Sequence, residues 1–181
     1  LPDKLERIGK GAFSGTSLTG TLQLPEGLRY LAESCFLGTD ITGIQFPSTL
    51  EEIGTKDSIS GAFQNCESLM CELSFPSSLK IIGSYSFSDS AIKGNLTLPE
   101  GLEHIGSSAF SGCSGLTGSL TIPSGIKVIN GAAFNECGFK GNLTLPMGLT
   151  EIQSGAFTYT KYKGELNIPS TVTTIGGSAF A

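Results

Sequence analysis

The sequence predicts a repeat solenoid with one parallel β-strand in each repeat of about 23 residues. Eight prolines, from Pro2 to Pro169, follow one another at steps of 23, 22, 29, 23, 24, 23 and 23 residues. A phenylalanine stands eleven residues after the proline in every repeat except the one that begins at Pro47. A fixed period in this range is typical of a structural unit stacked on copies of itself.

The strand is predicted by an alternating apolar pair before each proline from Pro25 onward. Leu96 and Leu98 form such a pair before Pro99, and the other repeats carry equivalent pairs. Period-two alternation indicates a strand with one buried face. Proline has no N–H to donate and therefore ends the ladder. We expect these strands to form a parallel sheet along one side of the solenoid.

The rest of each repeat predicts a second strand and a tight turn. The third and sixth residues after proline are aliphatic, as in Leu102 and Ile105, and predict a shorter strand. The glycine that follows in five repeats, such as Gly106, predicts a sharp turn through positive φ. Residues 107–112 are then expected to form a single helical or 3₁₀ turn with a serine N-cap.

Residues 1–181 are predicted to form a single solenoid of about eight repeats, the first and last of them incomplete. We also expect the chain to be a piece of a longer protein. A five-residue insertion near residues 55–61 separates Ile53 from Ala62 and Phe63. A short outward bulge costs little entropy, so the insertion is interpreted either as a tolerated loop or as a local recognition loop.

Composition excludes several classes of partner. The formal net charge is −5, and no run of lysine or arginine occurs, which argues against nucleic acid. No apolar segment approaches the roughly 18–20 residues of a membrane span. Five cysteines are an odd number, which argues against a fully paired disulfide framework. Cys66, Cys113 and Cys137 occupy a position held by Thr or Ser elsewhere, which predicts a ladder of small buried thiols and hydroxyls.

Catalytic, metal and cofactor sites are not expected. His104 is the one histidine, so neither a Ser/His/Asp site nor a histidine-based metal site can be built. Its position is variable between repeats, which predicts a solvated side chain. Cys66 and Cys71 have a spacing unlike a zinc knuckle, with no matching pair downstream.

The outward positions of the predicted strands supply the candidate binding surface. The first of these, which we call the polar row, holds Gln23, Gln45, Ser74, Thr97, Thr121, Thr144 and Asn167. A second row holds Thr21, Gly43, Glu72, Asn95, Ser119, Asn142 and Glu165. Solenoids bind partners on such extended sheet faces, although Thr, Ser, Asn and Gln also suit any solvated strand. Tyr159, Tyr162, Lys161 and Lys163 form an alternative aromatic and basic contact, with ordinary convex packing as the other interpretation.

The repeat resembles a known family. Ile105-Gly-Ser-Ser-Ala-Phe-Ser-Gly-Cys-Ser-Gly-Leu116, followed by Leu120-Thr-Ile-Pro123, is similar to the BspA-type leucine-rich repeat over essentially the whole chain. The resemblance implies a parallel-stranded solenoid of leucine-rich-repeat type. It also implies a cell-surface or secreted protein, because members occur on bacterial and protist surfaces and several are described as adhesins for host matrix proteins or other cells.

Two functional hypotheses follow. The first is a non-enzymatic binding or adhesion module that recognises a protein or a glycan through an extended face of the solenoid. The alternative is a structural spacer or assembly segment that carries other domains. Incomplete terminal repeats would expose apolar surface and unpaired strand edges, which predicts end-to-end self-association.

Overall fold

The computed structural model describes every residue from Leu1 to Ala181. The chain winds into a parallel β-solenoid of about seven turns, here called coils. Residues that pair between neighbouring coils lie 23 apart at most junctions, as Arg7 with Tyr30. Glu52 pairs with Ile81, 29 residues on, because the insertion lies between them. The period of the prolines is therefore the period of the solenoid.

Fourteen short strands account for the regular structure, and every pairing among them is parallel. They are β1 (Arg7–Ile8), β2 (Thr19–Gln23), β3 (Tyr30–Leu31), β4 (Asp40–Gln45), β5 (Glu52–Ile53), β6 (Ile81–Ile82), β7 (Lys93–Asn95), β8 (His104–Ile105), β9 (Gly115–Thr117), β10 (Leu120–Thr121), β11 (Val128–Ile129), β12 (Leu143–Thr144), β13 (Glu151–Ile152) and β14 (Thr174–Ile175). The chain contains no helix, and thus none that could cross a membrane.

The prediction of a short strand after each proline is confirmed, and these strands form the more regular side of the solenoid. A five-stranded sheet runs in the order β1-β3-β5-β6-β8, and a three-stranded sheet in the order β11-β13-β14. The two sheets do not pair between β8 and β11. At that junction the Asn130 side-chain Nδ2 donates to the Ile105 carbonyl at 2.6 Å. In the next coil a backbone group makes the equivalent bond, from Gln153 N–H to the Ile129 carbonyl at 2.9 Å.

Only some of the strands predicted before the prolines form, and the continuous sheet expected of them is absent; no strand forms before Pro169. β2 pairs with β4, Ser74 forms a single bridge with Thr97, and β10 pairs with β12. Between these pairs the strands separate, although β7 pairs with β9 just before the second separation. The first two separations fall in the repeats of 29 and 24 residues. The third lies after β12, in a repeat of ordinary length, and nothing in the repeat spacing explains it.

The third side of the coil is built from turns, and the helical turn predicted for residues 107–112 is wrong. The Ala109 N–H donates to the Gly106 carbonyl, three residues back, at 3.3 Å. The next N–H, that of Phe110, donates instead to the Ala133 carbonyl of the following coil at 2.9 Å. This alternation recurs along the segment. A helix would keep its N–H groups within one coil, whereas here every second one joins neighbouring coils.

Left-handed residues make these turns possible. φ is positive two residues before or after the repeat phenylalanine in successive coils, and nine of the residues concerned are not glycine. They are Ser34, Asn65, Tyr85, Asp89, Ser108, Ala132, Glu136, Tyr159 and Ser178. A positive φ at the third residue is typical of a type II turn, and costs an L-residue roughly 1–2 kcal/mol. The bonds between coils offset that cost.

The glycine after the second aliphatic residue is needed for a different reason from the one predicted. Of the five such glycines only Gly54 has a positive φ, at 73°. A Cβ on Gly106 would lie 2.2 Å from the Ser84 backbone nitrogen, and one on Gly83 would lie 2.3 Å from the Thr55 carbonyl oxygen. Neighbouring coils approach so closely at these two positions that a side chain does not fit.

The repeat phenylalanines form one aromatic column through the core. Neighbouring rings from Phe13 to Phe180 have centroids 5.2–5.6 Å apart and planes within 3–13° of each other. Two further stacked pairs, Phe46 with Phe75 and Phe139 with Tyr162, meet the column edge-on. From Phe36 to Phe157 the column belongs to a single core cluster of 42 buried residues.

The predicted ladder of small thiols and hydroxyls is confirmed. The Cys113 Sγ–H donates to the Phe87 carbonyl at 3.0 Å, and the Cys137 thiol makes the equivalent bond to Phe110 at 3.1 Å. The Ser90 hydroxyl bonds the Phe63 carbonyl in the same way. All five cysteines are free. Burial raises the pKa of the Cys113 and Cys137 thiols, which keeps them neutral hydrogen-bond donors.

Candidate functional site

All seven members of the polar row are exposed. The alternation within each strand produces this arrangement, because Leu96 and Leu98 on either side of Thr97 are buried at 4% and 7% exposure. Gln23 is in register with Gln45, and Thr121 with Thr144. The prediction that these positions face outward is confirmed, whereas their role in binding stays a prediction.

The separations between strand pairs turn the row into a surface with clefts. The first cleft, of about 500 Å³, lies between the strands of Thr97 and Thr121 and is bordered by Asn95, Glu100 and Ser119. The second, of about 620 Å³, lies between the strand of Thr144 and the segment that holds Asn167. Asn142, Met147 and Glu165 border the second cleft. Sequence periodicity alone did not indicate either cleft.

Both clefts are rich in hydrogen-bonding groups and carry no positive charge. Hydroxyl and amide side chains line both clefts, together with one glutamate each, Glu100 in the first and Glu165 in the second. No lysine or arginine borders them. Such groups can bond the peptide backbone or sugar hydroxyls but do not attract anions.

In the second row, Gly43 is buried, while Ser119 accepts a bond from the Asn142 N–H at 3.0 Å.

The structure divides the predicted aromatic and basic contact into two parts. The Tyr162 ring packs into the core, stacked on Phe139 at 5.6 Å, and burial raises the pKa of its phenol. Tyr159 is 68% exposed and lies, with Lys161, on the border of a separate cleft of about 510 Å³. Lys140 borders the same cleft. It was missed by the sequence reasoning because it lies one repeat earlier in the chain.

The insertion is an ordered loop tied to the coils on both sides. The Ser58 hydroxyl donates to the Glu33 carboxylate of the preceding coil. The Ser84 N–H of the following coil donates to the Thr55 carbonyl at 3.0 Å. Between these anchors Ile59 is 90% exposed. Hydrogen bonds from Lys10 and then from Ser58 lower the pKa of Glu33, so its carboxylate stays ionised as an acceptor.

His104 lies near this loop. The sequence predicted a solvated side chain here, but the His104 side chain is not fully solvated. The residue is only partly exposed, and its Nε2 atom is buried without a hydrogen-bond partner. Burial lowers the pKa of the imidazole, and the nearby charge of Lys56 lowers it further. No second histidine exists, and no group of three His, Cys, Asp or Glu side chains could hold a metal ion.

The fold assigns the protein to the class of parallel solenoids of leucine-rich-repeat type. The BspA-type leucine-rich repeat region matches the sequence in six copies, over residues 1–69 and 57–181. The chain therefore belongs to the BspA-type leucine-rich repeat family. Among curated proteins, no relative matches the sequence.

Solved structures of bacterial leucine-rich repeat proteins share the fold. A leucine-rich repeat protein from Bacteroides ovatus is 20% identical, with a TM-score of 0.57 over 97% of this chain and 61% of its own. The TpLRR protein of T. pallidum is 25% identical, with a TM-score of 0.60 over 97% and 71%. A leucine rich cell surface protein from Faecalibacterium prausnitzii is 23% identical, with a TM-score of 0.51 over 90% and 44%. The chain thus spans 61% of the length of the first of these proteins and 44% of the third.

Proposed function

We propose that the chain is a non-enzymatic binding module of a cell-surface or secreted protein, which recognises a protein or a glycan through the polar row. The observation that carries the proposal is the exposure of all seven row residues, with two clefts opening along the row. The cell-surface name of the Faecalibacterium prausnitzii protein supports the location. Adhesion is the form of recognition that this location favours.

A binding screen followed by one triple variant tests the proposal. The chain is screened against immobilised matrix proteins and a glycan array. Any partner found is then measured against Thr97→Lys/Thr121→Lys/Thr144→Lys. These lysines leave the buried residues of the strands unchanged, and repulsion between them destabilises the fold by about 1 kcal/mol. A partner docked on the row should lose more than about tenfold in affinity, because three charges enter a desolvated contact.

The matched control places the same three charges on the short-strand side, as Thr150→Lys/Thr173→Lys/Thr174→Lys, all at exposed positions. Circular dichroism establishes that both triple variants are folded. Equal affinity of the row variant and the unmodified chain would contradict the proposal, as would loss of affinity in the control alone. Failure to bind any member of the screen would favour the structural spacer instead.

A further inference from the structure

A third cleft, which no residue of the polar row borders, carries a different chemistry. We call it the basic cleft; Ser114, Thr117, Glu136, Lys140, Tyr159 and Lys161 border it, and its volume is about 510 Å³. Gly138 also borders it, packed so closely that a Cβ there would lie 2.1 Å from the Ser114 carbonyl oxygen.

The charge of this region differs from that of the rest of the molecule. Up to His104 the sequence holds thirteen acidic and seven basic residues, and after it three acidic and four basic residues. Lys140 and Lys161 are exposed, and neither forms an ion pair within the chain. Glu136 is the single carboxylate on the border of the cleft. An anion is therefore favoured here in an otherwise acidic protein, because nearby charges outweigh distant ones screened by salt.

Tyr159 supplies an exposed aromatic ring on the border that Lys140 and Lys161 share. Its side chain is 68% exposed although its backbone is held in the left-handed conformation at φ 58°. The Tyr159 N–H donates to the Ala181 carbonyl at 2.7 Å, and the Thr160 N–H donates to the Phe157 carbonyl at 3.3 Å. The backbone is thus already ordered, and a tyrosine side chain has only two χ angles to restrict, so a ligand that covers the ring costs little conformational entropy.

We propose that the basic cleft binds a saccharide that carries carboxylate or sulfate groups. The Tyr159 ring offers a face on which the apolar C–H face of a sugar ring can stack. Lys140 and Lys161 would pair with the acidic substituents, and the exposed hydroxyls of Ser114 and Thr117 can bond the sugar hydroxyls. An acidic peptide fits less well, since Tyr159 is the one large apolar side chain on the border and the cleft offers no further apolar pocket for peptide side chains.

The binding test uses four probes of matched length: a heparin-derived oligosaccharide with sulfate and carboxylate groups, an oligogalacturonate with carboxylate groups alone, a neutral dextran oligosaccharide, and oligoglutamate. Calorimetric titration should show binding of one or both acidic saccharides and little binding of dextran or oligoglutamate. Affinity should fall as salt is added. If oligoglutamate binds as tightly as the saccharides, or if neither acidic saccharide binds, the proposal is overturned.

Two sets of variants locate the site. Lys140→Glu/Lys161→Glu should weaken binding of the acidic saccharide by more than about tenfold, because attraction becomes repulsion. The control Lys4→Glu/Lys127→Glu changes the net charge equally at two exposed lysines without ion pairs, and should bind within about twofold of the unmodified chain. Equal loss in both variants would mean that only overall charge matters, and would contradict a site at the basic cleft.

The aromatic contribution is tested at one position. Tyr159→Ala should weaken binding about fivefold to tenfold, while Tyr159→Phe, which keeps the ring, should bind as the unmodified chain does. Thermal melting establishes that each variant is folded. Unchanged affinity in Tyr159→Ala would overturn the proposed stacking and with it the choice of a saccharide.

Discussion

Phe110 lies at the middle of the aromatic column, with Phe87 at 5.5 Å on one side and Phe134 at 5.6 Å on the other. Its side chain is fully buried. Phe110→Ala should therefore destabilise the chain by about 3–5 kcal/mol, since it opens a cavity between two coils. Asn95→Ala, on the exposed second row, should stay within about 0.5 kcal/mol. Urea melts measure both, and similar midpoints would contradict the assignment of the core.

His104 gives stability a dependence on pH. Because burial lowers its pKa in the folded state, the unfolded chain binds a proton more readily. The unfolding free energy should be highest above the pKa of His104 in the unfolded chain, about 6.5. It should fall as the pH drops below that value and through the pKa of His104 in the folded chain. His104→Gln does not titrate, so the difference in unfolding free energy between the two proteins, measured from pH 8 to pH 5, isolates the effect. A difference that does not change with pH would show that the imidazole titrates alike in both states.

At the scale of one element, the turn side requires a left-handed conformation that several of its residues adopt poorly. Ala132 has φ 53°, whereas its neighbour Ala133 is fully buried and is not left-handed. Ala132→Gly should stabilise the fold by about 0.5–1 kcal/mol, because relief of strain exceeds the added chain entropy of glycine. Ala133→Gly should instead destabilise it, because a buried methyl group is lost. Chemical denaturation distinguishes the two signs, and a destabilised Ala132→Gly would contradict the account of the turn.

Across the whole molecule, the last coil differs from those before it. Ile175 is 52% exposed and Phe180 is 37% exposed, whereas Ile152 and Phe157 one coil earlier are fully buried. Burial of this face against another copy would remove apolar surface from water. We therefore propose end-to-end self-association of the 181-residue chain, visible as a sedimentation coefficient that rises with concentration.

Two lysine variants test this association. Ile175→Lys places a charge on the end face and should abolish the dependence on concentration. Ile59→Lys changes a side chain that is 90% exposed on the insertion loop, away from the end face, and should leave the association unchanged. Sedimentation that is independent of concentration for the unmodified chain would contradict the prediction.

Much of the fold was predictable because burial imposes a pattern that sequence periodicity displays. The positions of Leu102, Ile105 and Phe110 within the repeat were predicted, and all three are buried. The outward orientation of Thr97, Thr121 and Thr144 followed from the period of two along a strand. These features depend on contacts that recur in every coil, so one repeat predicts the next.

Contacts between particular coils were decided by the tertiary structure alone. The clefts of the polar row depend on which strands separate, and a repeat pattern treats all coils as equivalent. The helical turn was wrongly predicted because hydrogen bonds between coils, as from Phe110 to Ala133, replace those of a helix. The sequence correctly indicated that the position of Gly106 requires glycine. The reason for the requirement is a close approach to Ser84, which lies 22 residues earlier in the chain. The basic cleft likewise brings together Lys140 and Tyr159, which belong to neighbouring coils. The sequence therefore determined the residues that each coil buries, whereas the packing of one coil on the next determined the surfaces available for binding.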